Sequence, residues 1–198
     1  CGTHGIGMGN KVVTIDDPDY TPTFWGGDRA VYAGGYGGGI RRNDISYLNM
    51  TTTNNSQDFG DLTVARNLQA GASSGTRFMV MGGQTGTTTE NATNNAADYI
   101  TVATTGNAQD FGDMVYYTYG GQGCGNTTRA FYIQGYQYNT SSRVDTIQYF
   151  TFATPGNSTD FGNVGSGAGR YGAACNSATR ALTAGGDTKS PFPQNRID

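Results

Sequence analysis

A four-residue phrase returns through this chain at a near-constant interval. Asp58-Phe59-Gly60-Asp61 recurs as Asp110-Phe111-Gly112-Asp113 and as Asp160-Phe161-Gly162-Asn163, its phenylalanines 52 and then 50 residues apart. Other marks keep step with it. Tyr47, Tyr99 and Tyr149 each stand 12 residues before their Phe, and Arg77, Arg129 and Arg180 follow at 18, 18 and 19 residues. Arg29 opens the same pattern ahead of the first Phe. An ordered set of marks at a fixed period is the signature of a repeat architecture. Each unit leaves an apolar face that it cannot bury alone, so neighbours must stack.

The segments between the marks read as strands. Arg29-Ala30-Val31-Tyr32-Ala33-Gly34-Gly35 has relatives at Arg77–Gly83, Arg129–Gly135 and Arg180–Gly186. These are short apolar runs bounded by Gly, with no helical period, as expected of buried strands. A polar loop follows each run, over 36–44, 84–97, 136–144 and 187–195. The next strand passes through the repeat Tyr. In Ile147-Gln148-Tyr149-Phe150-Thr151-Phe152, apolar groups fall on both faces, which calls for cover on both sides of the sheet. About 16 residues rich in small side chains follow each Phe-Gly and should hold one more strand where backbones crowd. Each unit thus offers about four strands in about 50 residues, and no stretch reads as helix.

Composition narrows the function classes. The chain has 198 residues, 32 of them Gly, a net charge of -3 and no block of like charge, so it lacks the basic footprint of a nucleic-acid binder. No run approaches the roughly 20 apolar residues of a membrane-spanning helix. Cys124 and Cys175 each stand five residues before a repeat Arg. That suits a small apolar core position better than a planned bridge. No CxxC spacing occurs, and one His argues against a structural zinc site.

A Gly pair, then a Tyr, then an aromatic residue at a set distance, in units of about 50 residues, resembles the kelch repeat. The resemblance covers residues 20 to 198. Phe59, Phe111 and Phe161 stand where the kelch pattern normally has Trp. The Asp-Phe-Gly-Asp phrase is similar to a kelch-like variety in virion and tail-fibre proteins of tailed bacteriophages. Kelch units are four-stranded blades of a β-propeller. The resemblance therefore implies an all-β fold, a small propeller of about four blades of four antiparallel strands. Residues 1–19 form a lead-in and closing strand and 20–198 the propeller, with repeat marks at 29–59, 77–111, 129–161 and 180–198. The fourth unit lacks its third and fourth strands, so Val12-Val13-Thr14-Ile15 is expected to complete that blade and close the ring, removing exposed sheet edges. The rival reading is one segment of a longer array.

The repeated polar residues invite two readings. Arg29, Arg77, Arg129 and Arg180, with Asp58, Asp110 and Asp160, could ring a ligand channel. Alternatively they form an Arg–carboxylate clamp between strands or blades. Periodicity favours the clamp, because a binding site usually breaks the symmetry of its scaffold. The Asp-rich turns, Asp16-Asp17-Asp19 among them, could hold calcium through oxygens. They lack EF-hand spacing, and Asp is an ordinary turn former, so no cofactor is expected. Gly34–Gly39 lacks the ending and following helix of a phosphate loop. The lone His4 leaves a hydrolytic triad little to recruit. Tyr36, Tyr136 and Tyr138, just past a Gly mark, and Trp25 are the preferred binding residues, suited to stacking on sugars or a protein surface. Tyr116, Tyr117, Tyr119 and Tyr171 are further aromatics outside the marks.

The resemblance implies a non-enzymatic structural or adhesive module of a virion or extracellular fibre. Its partners would be other subunits, further copies of itself or surface glycans, with no nucleic acid and no membrane span. The alternatives are a carbohydrate-binding, lectin-like propeller and, second, a propeller glycosidase working through paired carboxylates.

Overall fold

The repeat phrase turns out to be a strand with a bulge. A computed structural model of the chain describes residues 28–86, 94–165, 167–187 and Ile197. In the first sheet, β1 (Arg29–Gly37), β2 (Ile40–Asn49) and β3 (Gln57–Asp61) pair in sequence order. Ile45 lies opposite Gly60 while Ser46 lies opposite Asp58, so Phe59 is the extra residue of a β-bulge. Gly60 takes φ +147°, which a residue with a Cβ rarely adopts. The bulge turns Phe59 inward, where it is 3% exposed. The same register shift recurs at Ala97/Asp98 and at Ile147/Gln148.

The second sheet holds β4 (Ala70–Ser73), β5 (Arg77–Met81), β6 (Ala96–Thr101) and β7 (Gln109–Asp113). The third holds β8 (Gln122–Gly125), β9 (Arg129–Gln137), β10 (Ser142–Thr151) and β11 (Thr159–Asn163). The fourth pairs β12 (Ala173–Asn176) with β13 (Ala181–Ala184). All the pairings are antiparallel meanders, and no helix occurs among the described residues. A single bridge from Ala184 to Ile197 begins a third strand in the fourth unit. It repeats the pairings Met81–Ala97 and Ile133–Ile147.

Alternation along the strands gives every sheet two apolar faces, and the sheets stack through them. Val31, Ala33 and Ile45 of the first sheet meet Phe78, Val80 and Ile100 of the second. Met79, Met81 and Ala97 meet Ala130, Tyr132, Phe150 and Phe152 of the third. Phe131, Ile133 and Ile147 meet Ala174 of the fourth. The innermost strands run close together, as the small residues there require. A Cβ on Gly123 would strike the backbone of Gly71, and one on Gly125 would press on Ala72. Asn176 Nδ2 donates to the Gly125 carbonyl at 2.8 Å.

Main-chain contacts join consecutive units at the bulge. Gly106 N donates to Phe59 O at 2.8 Å and Ala108 N to Asp61 O at 2.8 Å. Gly156 and Ser158 repeat this on Phe111 and Asp113, at 2.7 and 2.8 Å. The Asn107 and Asn157 side chains accept from the Asp61 and Asp113 amides, each at 3.0 Å. The turn of one unit thereby caps the outer strand of the unit before it.

The expected Arg–carboxylate clamp is corrected. Arg29, Arg77 and Arg129 stack on Tyr47, Tyr99 and Tyr149 at 4.7, 4.9 and 4.4 Å. Each Arg and its Tyr are diagonal neighbours on one face, because Val31, Met79 and Phe131 pair with the tyrosines. Arg29 also donates to Val102 O at 2.8 Å, and Arg77 donates to Phe152 O. The clamp therefore links units through a ring and a carbonyl, while Asp58, Asp110 and Asp160 lie exposed at the bulges.

Among the described residues, one pair of charges is wholly buried. Arg66 binds Asp98, both side chains fully enclosed, and donates to Ala96 O at 2.8 Å. Thr63 N adds a bond to Asp98 at 3.0 Å. The register position of Asp98 is occupied by Gln148 in the next unit, whose Oε1 accepts from Val115 N at 2.9 Å. Both side chains tie down the loop after the preceding Phe-Gly.

The four consecutive sheets do not by themselves close into a ring among the described residues. The expected closing strand Val12–Ile15 lies outside them.

Candidate functional site

Each unit kinks just past its Arg strand. Gly34, Gly82, Gln134 and Gly185 take left-handed φ between +60° and +67°, followed by Gly at +103° to +130°. The kink lets Gly35, Gly83 and Gly135 donate to the carbonyls of Arg66, Thr118 and Gly169 at 2.8, 3.0 and 2.9 Å. Gln134 holds this conformation as a non-glycine, and its buried side chain donates to Gly167 O at 2.8 Å. One residue further on, the two segments form a bridge. The bridges are Asn67–Gln84, Tyr119–Tyr136 and Arg170–Asp187. Position for position these are equivalent, yet the side chains are amide, aromatic and charged in turn.

That change of chemistry builds a cluster. Tyr119 is buried beneath Tyr136, Tyr138 and Tyr171, with ring centroids 5.4, 6.4 and 6.4 Å away. Tyr136 and Tyr138 lie 6.3 Å apart, nearly perpendicular at 83°. The Arg170 guanidinium lies 4.7 Å from the Tyr136 ring and 4.6 Å from that of Tyr171. It donates to the Tyr119 hydroxyl at 3.0 Å and to Asp187 at 3.1 Å. Arg143 reaches both oxygens of Asp187 at 2.9 Å.

The electrostatics follow from the packing. Burial opposes the charge of Asp187, but the bonds from Arg143 and Arg170 prevail and hold its carboxyl below the ordinary range. Burial likewise disfavours the Arg170 cation, and Asp187, Tyr171 and Tyr119 together outweigh it, raising its pKa. Burial pushes the Tyr119 hydroxyl up, with Tyr171 adding to it and Arg170 pulling against it. The cluster is thus a set of ring faces with hydroxyls at hand, and two guanidinium groups share one carboxylate beside them. Such a surface stacks on flat apolar faces with polar rims, as sugar rings and planar side chains present.

Of the expected binding residues, the structure brings Tyr136 and Tyr138 together. Tyr36 occupies the position of Tyr136 in the first unit, on a two-residue hairpin turn with Gly38 and Gly39 at φ +61° and +83°. It is 59% exposed and stands apart, 5.8 Å from Arg41 across the hairpin. Trp25 lies outside the described residues. Tyr119 and Tyr171 join the cluster, whereas Tyr116 and Tyr117 take no part in it. The residues unmarked in the sequence reading are Arg170, Arg143 and Asp187. A signal for the first existed: Asn67, Tyr119 and Arg170 each precede a repeat Arg by ten residues, a single column with three chemistries.

Among the described residues, no three His, Cys, Asp or Glu side chains come together as a metal site. Among them too, no helix is long and apolar enough to cross a membrane. No protein-family model matches the chain, and a search of curated proteins finds no relative.

Proposed function

We propose that this chain is a kelch-like β-propeller module without enzymatic activity, serving as a structural or adhesive part of a virion or extracellular fibre. The supporting observation is that a rigid, repetitive scaffold changes its side-chain chemistry at one cluster, Tyr119, Tyr136, Tyr138, Tyr171 and Arg170. Ring closure would have to bring together two faces that are open here: Tyr32 and Met50 on the first unit and Leu182 and Ile197 on the fourth are exposed. They occupy the backward-facing and forward-facing positions that meet between every other pair of units. Imaging the native particle tests the module's place: a regularly repeated density of this shape is expected, and a protein absent from any particle or fibre overturns it.

The second reading is a lectin-like propeller, favoured by the ring faces of Tyr136, Tyr138 and Tyr171. A glycan array separates the two. Binding that Tyr136→Ala and Tyr171→Ala lower by about tenfold or more, the scale of one to two lost stacking contacts, supports the lectin. A silent array leaves attachment to protein subunits.

A further inference from the structure

The repeat supplies its own control for the Tyr119–Arg170 cluster. Tyr36 pairs with Arg41 across the first hairpin and Tyr136 with Arg143 across the third, with the guanidinium 5.8 and 6.0 Å from the ring. Each of these arginines reaches toward the unit that follows. Arg41 finds an amide there, its Nε donating to Asn67 Oδ1 at 3.0 Å. Asn67 belongs to the column whose last member is Arg170, so Arg143 comes beside a second cation. An amide in that place would avoid the repulsion. Instead Asp187 lies between the two guanidinium groups and binds both, at 2.9 and 3.1 Å. Two positive charges against one negative leave this network with one cation in excess among the described residues. Nor do these contacts exhaust Arg170. Its Nε donates to Asp187 and its Nη1 to Tyr119, whereas Nη2 has no acceptor among the described residues and the side chain is 20% exposed. The ring beside it, Tyr171, is 47% exposed. Tyr171 stands in a left-handed column with Leu68 and Gly120, so its backbone is a feature of the repeat and its ring is the departure.

We propose that the cluster binds an acidic saccharide, a pyranose bearing a carboxylate, with the sugar ring against Tyr171 and the carboxylate on Arg170 Nη2. The two halves of that ligand answer the two open features of the site. An exposed tyrosine ring takes the apolar face of a pyranose, and a guanidinium with free N–H groups takes a carboxylate through charged hydrogen bonds. A neutral sugar would use the ring and leave the excess cation without a partner. An acidic peptide would use the cation and leave the ring.

This inference rests on the lectin-like reading, and its test keeps the two apart. Titration calorimetry on the full chain at low ionic strength compares trigalacturonate with its methyl ester, and 3′-sialyllactose with lactose. At least one acid is expected to bind about tenfold or more tightly than its neutral counterpart, the scale of one charged hydrogen bond. Neutral forms that bind as well as the acids overturn the acid preference and leave the lectin-like reading standing. Silence from all four sugars overturns the inference, and the glycan array then decides the lectin-like reading by itself. A hexaglutamate peptide that binds as tightly as the acidic sugars shows that charge alone is read, and this too overturns the inference. Two variants place the site. Tyr171→Gly suits the left-handed backbone and is expected to weaken the acid about tenfold. Arg143→Gln leaves Arg170 balanced against Asp187 and is expected to shrink the preference for acid over neutral form. Unchanged binding in both variants, each melting as the parent does, puts the ligand elsewhere and overturns the assignment. The comparison of acid with neutral form on the unaltered chain decides the preference whether or not a variant folds.

Discussion

The Arg77 guanidinium lies 4.9 Å from the centre of the Tyr99 ring and donates to the Phe152 carbonyl of the next unit. One side chain thus fastens two strands of its own sheet and a third from its neighbour. A half-exposed cation–π contact contributes about 0.5–1 kcal/mol and a charged hydrogen bond about 1.5–3 kcal/mol. Arg77→Ala is therefore expected to cost about 2–4 kcal/mol by urea unfolding. Arg77→Lys should recover part of this, because it keeps the charge and loses the planar fork. Unchanged midpoints for both would refute the clamp.

Gly112 carries a second prediction. Its φ of +143° and the Gly156 carbonyl beside it leave no place for a Cβ. Strain and collision together put Gly112→Ala at about 3 kcal/mol, or a fall in Tm of roughly 6–12 °C for a chain of this length. Gly37 meets nothing within 4 Å, so Gly37→Ala is expected to leave Tm within about 2 °C. Calorimetry on the two variants checks the contrast.

The enclosed Arg66–Asp98 pair gives a third. Removing one partner strands the other charge, so Asp98→Ala should cost about 3–5 kcal/mol. The double variant Arg66→Met, Asp98→Leu should be less damaging than Asp98→Ala alone. A double-mutant cycle in denaturant measures this, and simple additivity would count against the pair as a coupled unit.

Alkaline pH should loosen the stack. Burial raises the Cys124 thiol from 9.0 to about 11, with Cys175 adding to the shift. Burial also raises Tyr132 from 10.0 to about 12, against the bond from the Gly121 amide. A folded-state pKa above the unfolded one stabilises fully below the unfolded value, and that contribution is lost as pH rises through the folded value. Stability is therefore expected to hold to about pH 9 and to fall between there and about pH 12. Denaturant midpoints at pH 8 and pH 11 check it, with Tyr132→Phe flattening the upper part of the decline.

The repeat was legible because its marks do the same task in the first two units. Phe59 and Phe111 enter the core through identical bulges, and Arg29 and Arg77 grip the same strand of the next sheet. Periodicity showed that these residues were structural but not whom they touched. Arg and Asp looked like partners because their charges are opposite, while the pleat put Arg beside Tyr. Arg66 and Asp98 were hidden for a different reason: they stand 32 residues apart and occur once as a pair. The Tyr119–Arg170 cluster is built from positions where the repeat stops repeating, so a search for recurrence passed over Arg170 and Asp187.

Where the bulges of neighbouring units meet, the joint is made of peptide groups, with Gly106 and Gly156 amides seated on the Phe59 and Phe111 carbonyls. A connection of that kind is indifferent to what the outward hairpins carry. The Tyr36–Gly39 tip and the Gln137–Ser142 tip can therefore exchange residues, or grow, without disturbing how one sheet registers on the next. The molecule separates its bearing from its cargo, so new recognition chemistry can be written at the hairpin tips while the stacking holds.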